Sequence, residues 1–135
     1  MTGPTHCFTP DLLQGKRALV TGGGTGIGRA IAIALAQAGA DLILAARQLP
    51  ALQVTAKEIE TETGRNVLVT QVDIRSLESV QTLAEFVTEN GAQVDILVNN
   101  AGGQFPQAAE NYSANGLRSI IDLNLNGTWN VTQAL

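Results

Sequence analysis

Short apolar runs alternate with amphipathic stretches four times along this chain. RALVT (17–21) is a short apolar run with β-branched residues, and a glycine-rich stretch follows at once. From Gly26 to Ala38 the apolar side chains Ile27, Ile31, Ala34, Leu35 and Ala38 recur at helical spacing, and Gly39 stands where a helix C-cap belongs. DLILAA (41–46) is continuous and apolar, as expected of a strand buried on both faces. Pro50 suits the first turn of a second helix, which runs to about Thr63 and is ended by Gly64. VLVTQV (67–72) predicts a third strand. Ser76 suits an N-cap, with Glu78 and Ser79 in the first turn behind it. The stripe Leu77, Val80, Leu83, Ala84 and Val87 then keeps the helical period to Asn90-Gly91. DILVNN (95–100) predicts a fourth strand. After a glycine-rich corner, the stretch from about Ala114 to Leu135 is helical in pattern, with Leu117, Ile120, Ile121, Leu123 and Leu125 apolar.

Strands that alternate with helices in this way predict an α/β fold, a parallel sheet wrapped by helices on both faces. The 135 residues are enough for one ordinary domain. With 44% hydrophobic and 15% charged residues, the chain is globular in composition rather than disordered. The formal charge is −4 and there is no basic run, which argues against a nucleic-acid partner. Cys7 is the single cysteine and has no partner for an internal disulfide, in keeping with a reducing, cytoplasmic setting. Met1 to Pro10 is polar and shows no secretory signal. The longest apolar stretch, Ala30 to Ala46, is broken by Gln37, Gly39 and Asp41, so no membrane span is expected. His6 and Cys7 are adjacent, but nothing nearby completes a metal site, and none is expected.

VTGGGTGIG (20–28) follows a predicted buried strand and opens a predicted helix. That is the address of a dinucleotide-binding turn. Gly22 permits a tight turn out of the strand, Gly26 lets the backbone approach a pyrophosphate, and Gly28 lets the helix pack closely on the sheet. The helix N-terminus offers unpaired N–H groups and the positive end of its dipole. Gly28 is followed by Arg29-Ala30 rather than Lys-Ser/Thr, which excludes an ATP P-loop. A glycine-rich loop without a ligand is the bland alternative. On this reading the fold is a Rossmann-type doubly wound sheet with strand order 3-2-1-4. Residues 1–14 form an irregular lead-in and 15–135 the dinucleotide-binding domain.

Thr21 to Gly28 resembles the short-chain dehydrogenase/reductase family, whose signature is Thr-Gly-x-x-x-Gly-x-Gly. Three further stretches match in order: Asp73-Ile74 at the end of the third strand, Asn99-Asn100-Ala101-Gly102 at the end of the fourth, and Asn124 in NLNGT (124–128). The resemblance covers the chain from about Leu13 onward. It implies a cofactor site built from Gly22, Thr25, Gly26, Ile27, Gly28, Asp73, Ile74, Asn100, Ala101 and Gly102. Asp73 would meet the adenine, Asn99 would largely satisfy strand-end backbone groups, and Asn124 would belong to the catalytic tetrad. Taken without the resemblance, Asp73 is a residue that caps a turn, Asn99 and Asn100 serve backbone groups, and Asn124 is a helix-surface residue.

The carboxyl end of the second strand reaches the adenosine ribose in such sheets. Asp41 lies at the wrong end of that strand, about 17 Å from Ala46 at the usual rise per residue. The position that matters holds Ala46, then Arg47. With no carboxylate to repel a 2′-phosphate and a guanidinium to pair with one, the cofactor expected is NADP(H). The alternative for Arg47 is a solvated surface charge.

The family's chemistry needs Tyr-x-x-x-Lys and a serine on a fifth strand. The single tyrosine, Tyr112, is followed four residues on by Gly116; Lys16 and Lys57 are preceded four residues earlier by Leu12 and Gln53. The chain therefore reads as the cofactor-binding half of a longer enzyme, truncated before strand 5 and inactive alone. Its open sheet edge and unpartnered last helix invite association, and the whole enzyme is expected to be a homo-oligomer. GGQFP (102–106) and DLNLNGT (122–128) resemble the trans-2-enoyl-CoA reductase branch, near the 2,4-dienoyl-CoA reductases. FTPDLLQGKRALVTGGGTGIG is similar to the same branch, and Thr25 suits it, where many other NADP enzymes place a basic residue. The resemblance implies NADPH-dependent reduction of a C=C bond conjugated to an acyl-CoA thioester, with hydride to the β-carbon and a proton to the α-carbon. Gly102 and Gly103 would keep the corner beside the nicotinamide low, and Gln104 and Phe105 would line the entrance or simply pack. The rival readings are a carbonyl reductase acting on a ketone or 3-oxoacyl thioester, and a non-catalytic NADP-binding sensor.

Overall fold

The computed structural model describes residues 9–135. His6 and Cys7, and with them the disulfide and metal expectations for that pair, lie outside the described residues. In chain order the elements are β1 (Arg17–Thr21), α1 (Gly26–Gln37), β2 (Asp41–Ala46), α2 (Leu49–Thr63), β3 (Val67–Gln71), α3 (Leu77–Glu89) and β4 (Ile96–Val98). A 3₁₀ turn (Ala109–Asn111) and α4 (Ala114–Ile121) come next. A π-helical segment (Asp122–Asn126) and α5 (Gly127–Ala134) complete the order.

The four strands form one parallel sheet in the order β3-β2-β1-β4, as the alternation predicts. β1 sits in register between β2 (Arg17 opposite Asp41, Thr21 opposite Ala45) and β4 (Ala18 opposite Ile96, Val20 opposite Val98). Successive side chains of a strand point to opposite faces, so each central strand feeds two cores. Ala18, Val20, Leu42 and Leu44 pack against Ala32 and Ala36 of α1 and Leu52 and Ile59 of α2. Leu19, Ile43 and Ala45 pack against Val80, Leu83 and Val87 of α3 and Val131 of α5.

The helix boundaries follow local chemistry. Gly39, at φ +101°, ends α1 in a paired motif: its N–H reaches the Ala36 carbonyl and the Ala40 N–H reaches Leu35. Gly64 ends α2 in a left-handed conformation, and Ser76 Oγ accepts the Ser79 N–H at the start of α3.

Several expectations need correction. β3 stops at Gln71, although the Val72 N–H still reaches the Ala46 carbonyl. β4 keeps only Ile96–Val98, because Asp95 takes the Arg17 N–H on its carboxylate and the Asn100 N–H goes to the Thr21 hydroxyl. On α1 the predicted stripe is not the buried face: Ile27 is 75% exposed and Ala34 is exposed, while Gly28, Ala32 and Ala36 are buried. The helix lies so close to the sheet that only small residues fit beneath it. Leu77 opens α3 and stands largely in solvent. The last helical stretch is three pieces rather than one, and its apolar residues Leu117, Ile121 and Leu125 are exposed. Among the described residues, β4 pairs with β1 alone and no helix is long and apolar enough to cross a membrane.

Candidate dinucleotide-binding cleft

A cleft of about 480 Å³ opens at the carboxyl ends of β1, β2, β3 and β4. The turn after β1 brings Gly22, Thr25, Gly26, Ile27 and Gly28 to it; the end of β2 brings Ala46 and Arg47; the end of β3 brings Asp73 and Ile74; the end of β4 brings Asn100, Ala101 and Gly102. Eleven of the twelve residues expected at the site therefore line one space. The twelfth, Asn124, is not among the lining residues, although its neighbour Leu123 is.

The turn has the shape a phosphate requires. Gly22 (φ +68°) leaves β1 with its N–H on the Ala45 carbonyl. A Cβ on Gly28 would collide with the Gly22 carbonyl oxygen, so a bare backbone is what lets α1 begin this close to the strand. Gly26 (φ +54°) has nothing within 4 Å of where a Cβ would point, which leaves open space at the first residue of the helix. Thr25, the N-cap, makes no side-chain capping bond. The first N–H groups of α1 thus keep no cap from that side chain, the state in which a helix start takes an anion.

Around the rim the charges are unequal in their commitments. Arg47 is exposed and makes no ion pair with a described residue. Asp41, at the far end of β2, is spent on the Asn66 N–H (3.1 Å) and on Arg17 (3.9 Å). Asp73 is held by Arg75, with Nε to Oδ1 at 3.0 Å and Nη2 to Oδ2 at 2.6 Å. These bonds lower its pKa to about 2, against the cost of partial burial, and Arg47 adds a weaker pull in the same direction. Asp73 also closes a turn by accepting the Arg75 N–H at 3.1 Å. A carboxylate has about four lone-pair sites, so acceptor capacity remains on Asp73.

Of the two asparagines after β4, Asn100 lines the cleft as expected and also takes the backbone role expected of Asn99. Asn100, not Asn99, serves the backbone: its Nδ2 donates to the Thr21 carbonyl at 3.0 Å and to Gly22 at 3.4 Å. Asn99 donates instead to the Thr132 hydroxyl of α5 at 2.9 Å. The reason is the pleat: successive residues at the end of a strand face opposite sides. Asn124 lies in the π-helical segment, where its amide clasps Gly103 from both sides. The Gly103 N–H donates to Oδ1 at 3.1 Å, and Nδ2 donates to the Gly103 carbonyl at 2.8 Å. It is exposed, as a helix-surface residue would be, yet it fixes the corner after β4. Tyr112 donates its hydroxyl to the Phe105 carbonyl at 2.6 Å, and the two rings pack 5.4 Å apart, so both hold the loop that follows that corner.

Sequence reasoning passed over four supporting residues. Thr21 accepts the N–H groups of Asn100 and Ala101 on its hydroxyl, at 3.0 Å each. Asn130 donates to the Ile74 carbonyl at 3.1 Å. Ala51 lines the cleft from α2, and Thr55 reaches the glycine turn. Only Thr21 carries a local signal, as the first letter of the glycine motif.

Fold and cleft together define an open, doubly wound Rossmann-type α/β domain. The chain belongs to the short chain dehydrogenase family, whose sequence model matches residues 16–135. A probable 2,4-dienoyl-CoA reductase of Caenorhabditis elegans is 46% identical over 96% of this chain and 43% of its own length. The peroxisomal 2,4-dienoyl-CoA reductase of Danio rerio is 35% identical over 97% of this chain and 44% of its own length. Among solved structures, the L-sorbose reductase of Gluconobacter frateurii, described as complexed with NADPH and L-sorbose, superimposes with a TM-score of 0.88 at 31% identity. That match covers 94% of this chain and 48% of the reductase. The chain spans less than half the length of the curated relatives it matches.

Proposed function

We propose that residues 15–135 are the NADP(H)-binding domain of a reductase that adds hydrogen across a C=C bond conjugated to an acyl-CoA thioester, with residues 1–14 as a lead-in. The observation that carries the cofactor half of this reading is the cleft. An uncapped helix start with open space at Gly26 faces it, and the end of β2 offers Arg47 with no carboxylate at position 46. These residues fit the group. The N–H groups at the start of α1 would take the pyrophosphate, and Arg47 the 2′-phosphate by paired charge-assisted hydrogen bonds. Asp73 and Ile74 would flank the adenine. The likeness to a reductase described with NADPH supports the same choice.

Bound NADPH supplies the hydride. The chain's own residues position it: Gly102 and Gly103 keep the wall low at the nicotinamide end, and Asn124 holds that wall by clasping Gly103. Asn124 would also help organise a proton-relay water. The thioester reading is supported by the relatives' names and by the stretches Gly102–Pro106 and Asp122–Thr128. Those names state a (3E)-enoyl product, so a 2,4-diene gains one hydrogen at C2 and one at C5 and keeps a double bond between C3 and C4. For a simple 2-enoyl thioester, hydride goes to the β-carbon and the proton to the α-carbon. The likeness to L-sorbose reductase favours a second reading, a carbonyl reductase.

The test is a panel at fixed NADPH with the full-length protein that carries these residues: 2-enoyl and 2,4-dienoyl thioesters of several lengths, matching 3-oxoacyl thioesters, and simple ketones or ketoses. Higher kcat/KM for the enoyl and dienoyl esters is expected. Higher values for the ketones or 3-oxoacyl esters would favour the carbonyl reductase. Tight NADPH binding with no turnover of anything would favour a sensor. The 135-residue chain on its own, which has no Tyr-x-x-x-Lys, is expected to turn over none of them.

A further inference from the structure

We propose that Thr55 is the positioning residue of the phosphate-binding turn, acting from α2 through the carbonyl of Gly24. The inference rests on the dinucleotide-binding reading of the cleft and adds a residue that does not line it. Thr55 is wholly buried, and its hydroxyl donates to the Gly24 carbonyl at 3.0 Å. Other threonines of α2 behave differently. Thr61 and Thr63 donate to carbonyls four residues back in their own helix, Lys57 and Ile59, at 2.7 Å each. Thr55 turns its hydroxyl out of the helix and onto the glycine turn.

The turn and the helix meet without a side chain between them. A Cβ on Gly24 would lie 3.0 Å from the Leu52 nitrogen and 3.1 Å from the Ala51 carbonyl carbon. One helical turn beyond Thr55, Glu58 takes two hydrogen bonds from Arg29, in the first turn of α1, of which the Nε bond is 3.0 Å. α2 therefore grips the chain on both sides of Thr25–Gly28, at Gly24 before it and at Arg29 after it. In a planar trans peptide the C=O and N–H point in opposite directions. With the Gly24 oxygen committed to Thr55, the Thr25 N–H is turned away from α2. The donors of the turn are thereby set before any ligand arrives, which is preorganisation. Valine at position 55 would keep the shape but leave a buried carbonyl without its donor.

The experiment uses the full-length protein and its Thr55→Val and Thr55→Ser variants, each verified as folded by circular dichroism at the working temperature. NADPH and NADH binding are followed by the fluorescence of the reduced nicotinamide. Thr55→Val is expected to raise the Kd of both cofactors about tenfold, with the NADPH-to-NADH ratio unchanged, because both carry the pyrophosphate. Thr55→Ser, which restores the donor, is expected within about twofold of wild type. If valine unfolds the protein, Thr55→Cys keeps the volume, weakens the donor and gives the same pattern at smaller amplitude. Unchanged binding in Thr55→Val, or a serine variant as weak as the valine one, would overturn the proposal while the wild-type protein still binds NADPH. A wild-type protein that binds neither nucleotide would remove the cleft reading and this proposal with it.

Discussion

Arg47 is the residue on which cofactor choice is expected to turn, because it is the cationic side chain in the cleft that no described carboxylate holds. Losing a paired contact to a 2′-phosphate costs on the order of 1.5–3 kcal/mol. Arg47→Ala in the full-length protein should weaken NADPH binding accordingly and leave NADH binding nearly untouched; equal weakening of both, measured by titration, would remove Arg47 from the 2′-phosphate. Asp73 carries a different expectation. Its pKa is lowered from 3.8 to about 2 by Arg75, so the ionised form is favoured in the fold. Its contribution to stability is complete above about pH 4 and is lost as pH falls toward 2. Melting curves of wild type and Asp73→Asn should differ at neutral pH and converge near pH 2; a constant gap would show that the Arg75 pair is not what Asp73 contributes. The cleft-lining residues in Gly22–Gly28, Asp73-Ile74 and Asn100–Gly102 were legible because each sits at a strand end that the hydrophobic pattern marks. Thr55 was not, since its place on the stripe of Leu52, Ala56 and Ile59 marks it as buried but says nothing of what its hydroxyl meets. Its partner is 31 residues away.

At the level of the element, α1 holds the instructive case. Period alone picks out its bulky residues, and sheet-facing helices usually bury bulk. Here the helix must start where a dinucleotide turn leaves it, hard against β1 and β2, so the buried stripe is Gly28, Ala32 and Ala36. Ala32→Leu should cost about 1–3 kcal/mol in chemical denaturation, because there is no space to expand into. Ile27→Ala, at an exposed position, should change stability by less than about 0.5 kcal/mol. The opposite order would return the buried face to the bulky side. The strands and the first three helices were legible because buried parallel strands are continuous apolar runs. The ends of β3 and β4 were not, because backbone bonds continue past the strands at Val72 and Asp95 and the apolar run does not mark where the ladder stops.

For the whole molecule, the order of the sheet follows from the alternation of strand and helix, and the cleft follows from the order. What surrounds the last helices is less determined by pattern. Leu117, Ile121, Leu125 and Trp129 recur every fourth residue along α4, the π-helical segment and α5, and all are exposed, Leu125 by 65% and Trp129 by 62%. Apolar stripes of this kind associate. Sedimentation of the 135-residue chain should show species larger than a monomer, and Leu125→Glu with Trp129→Glu should shift them toward it; an unchanged distribution would exonerate the stripe. The π-helical segment running through this stretch has a geometric consequence. An α-helix advances about 100° per residue, and a π-helical segment accommodates one residue more than the regular winding needs. Winding the same residues as a regular α-helix, with none removed, would rotate everything after them by roughly 100°. Asn130 would leave the Ile74 carbonyl, Val131 would leave the core, and Thr132 would leave Asn99. The surplus residue acts as a phase offset, letting one helical rod clasp Gly103 at one end of the cleft and the Ile74 carbonyl at the other.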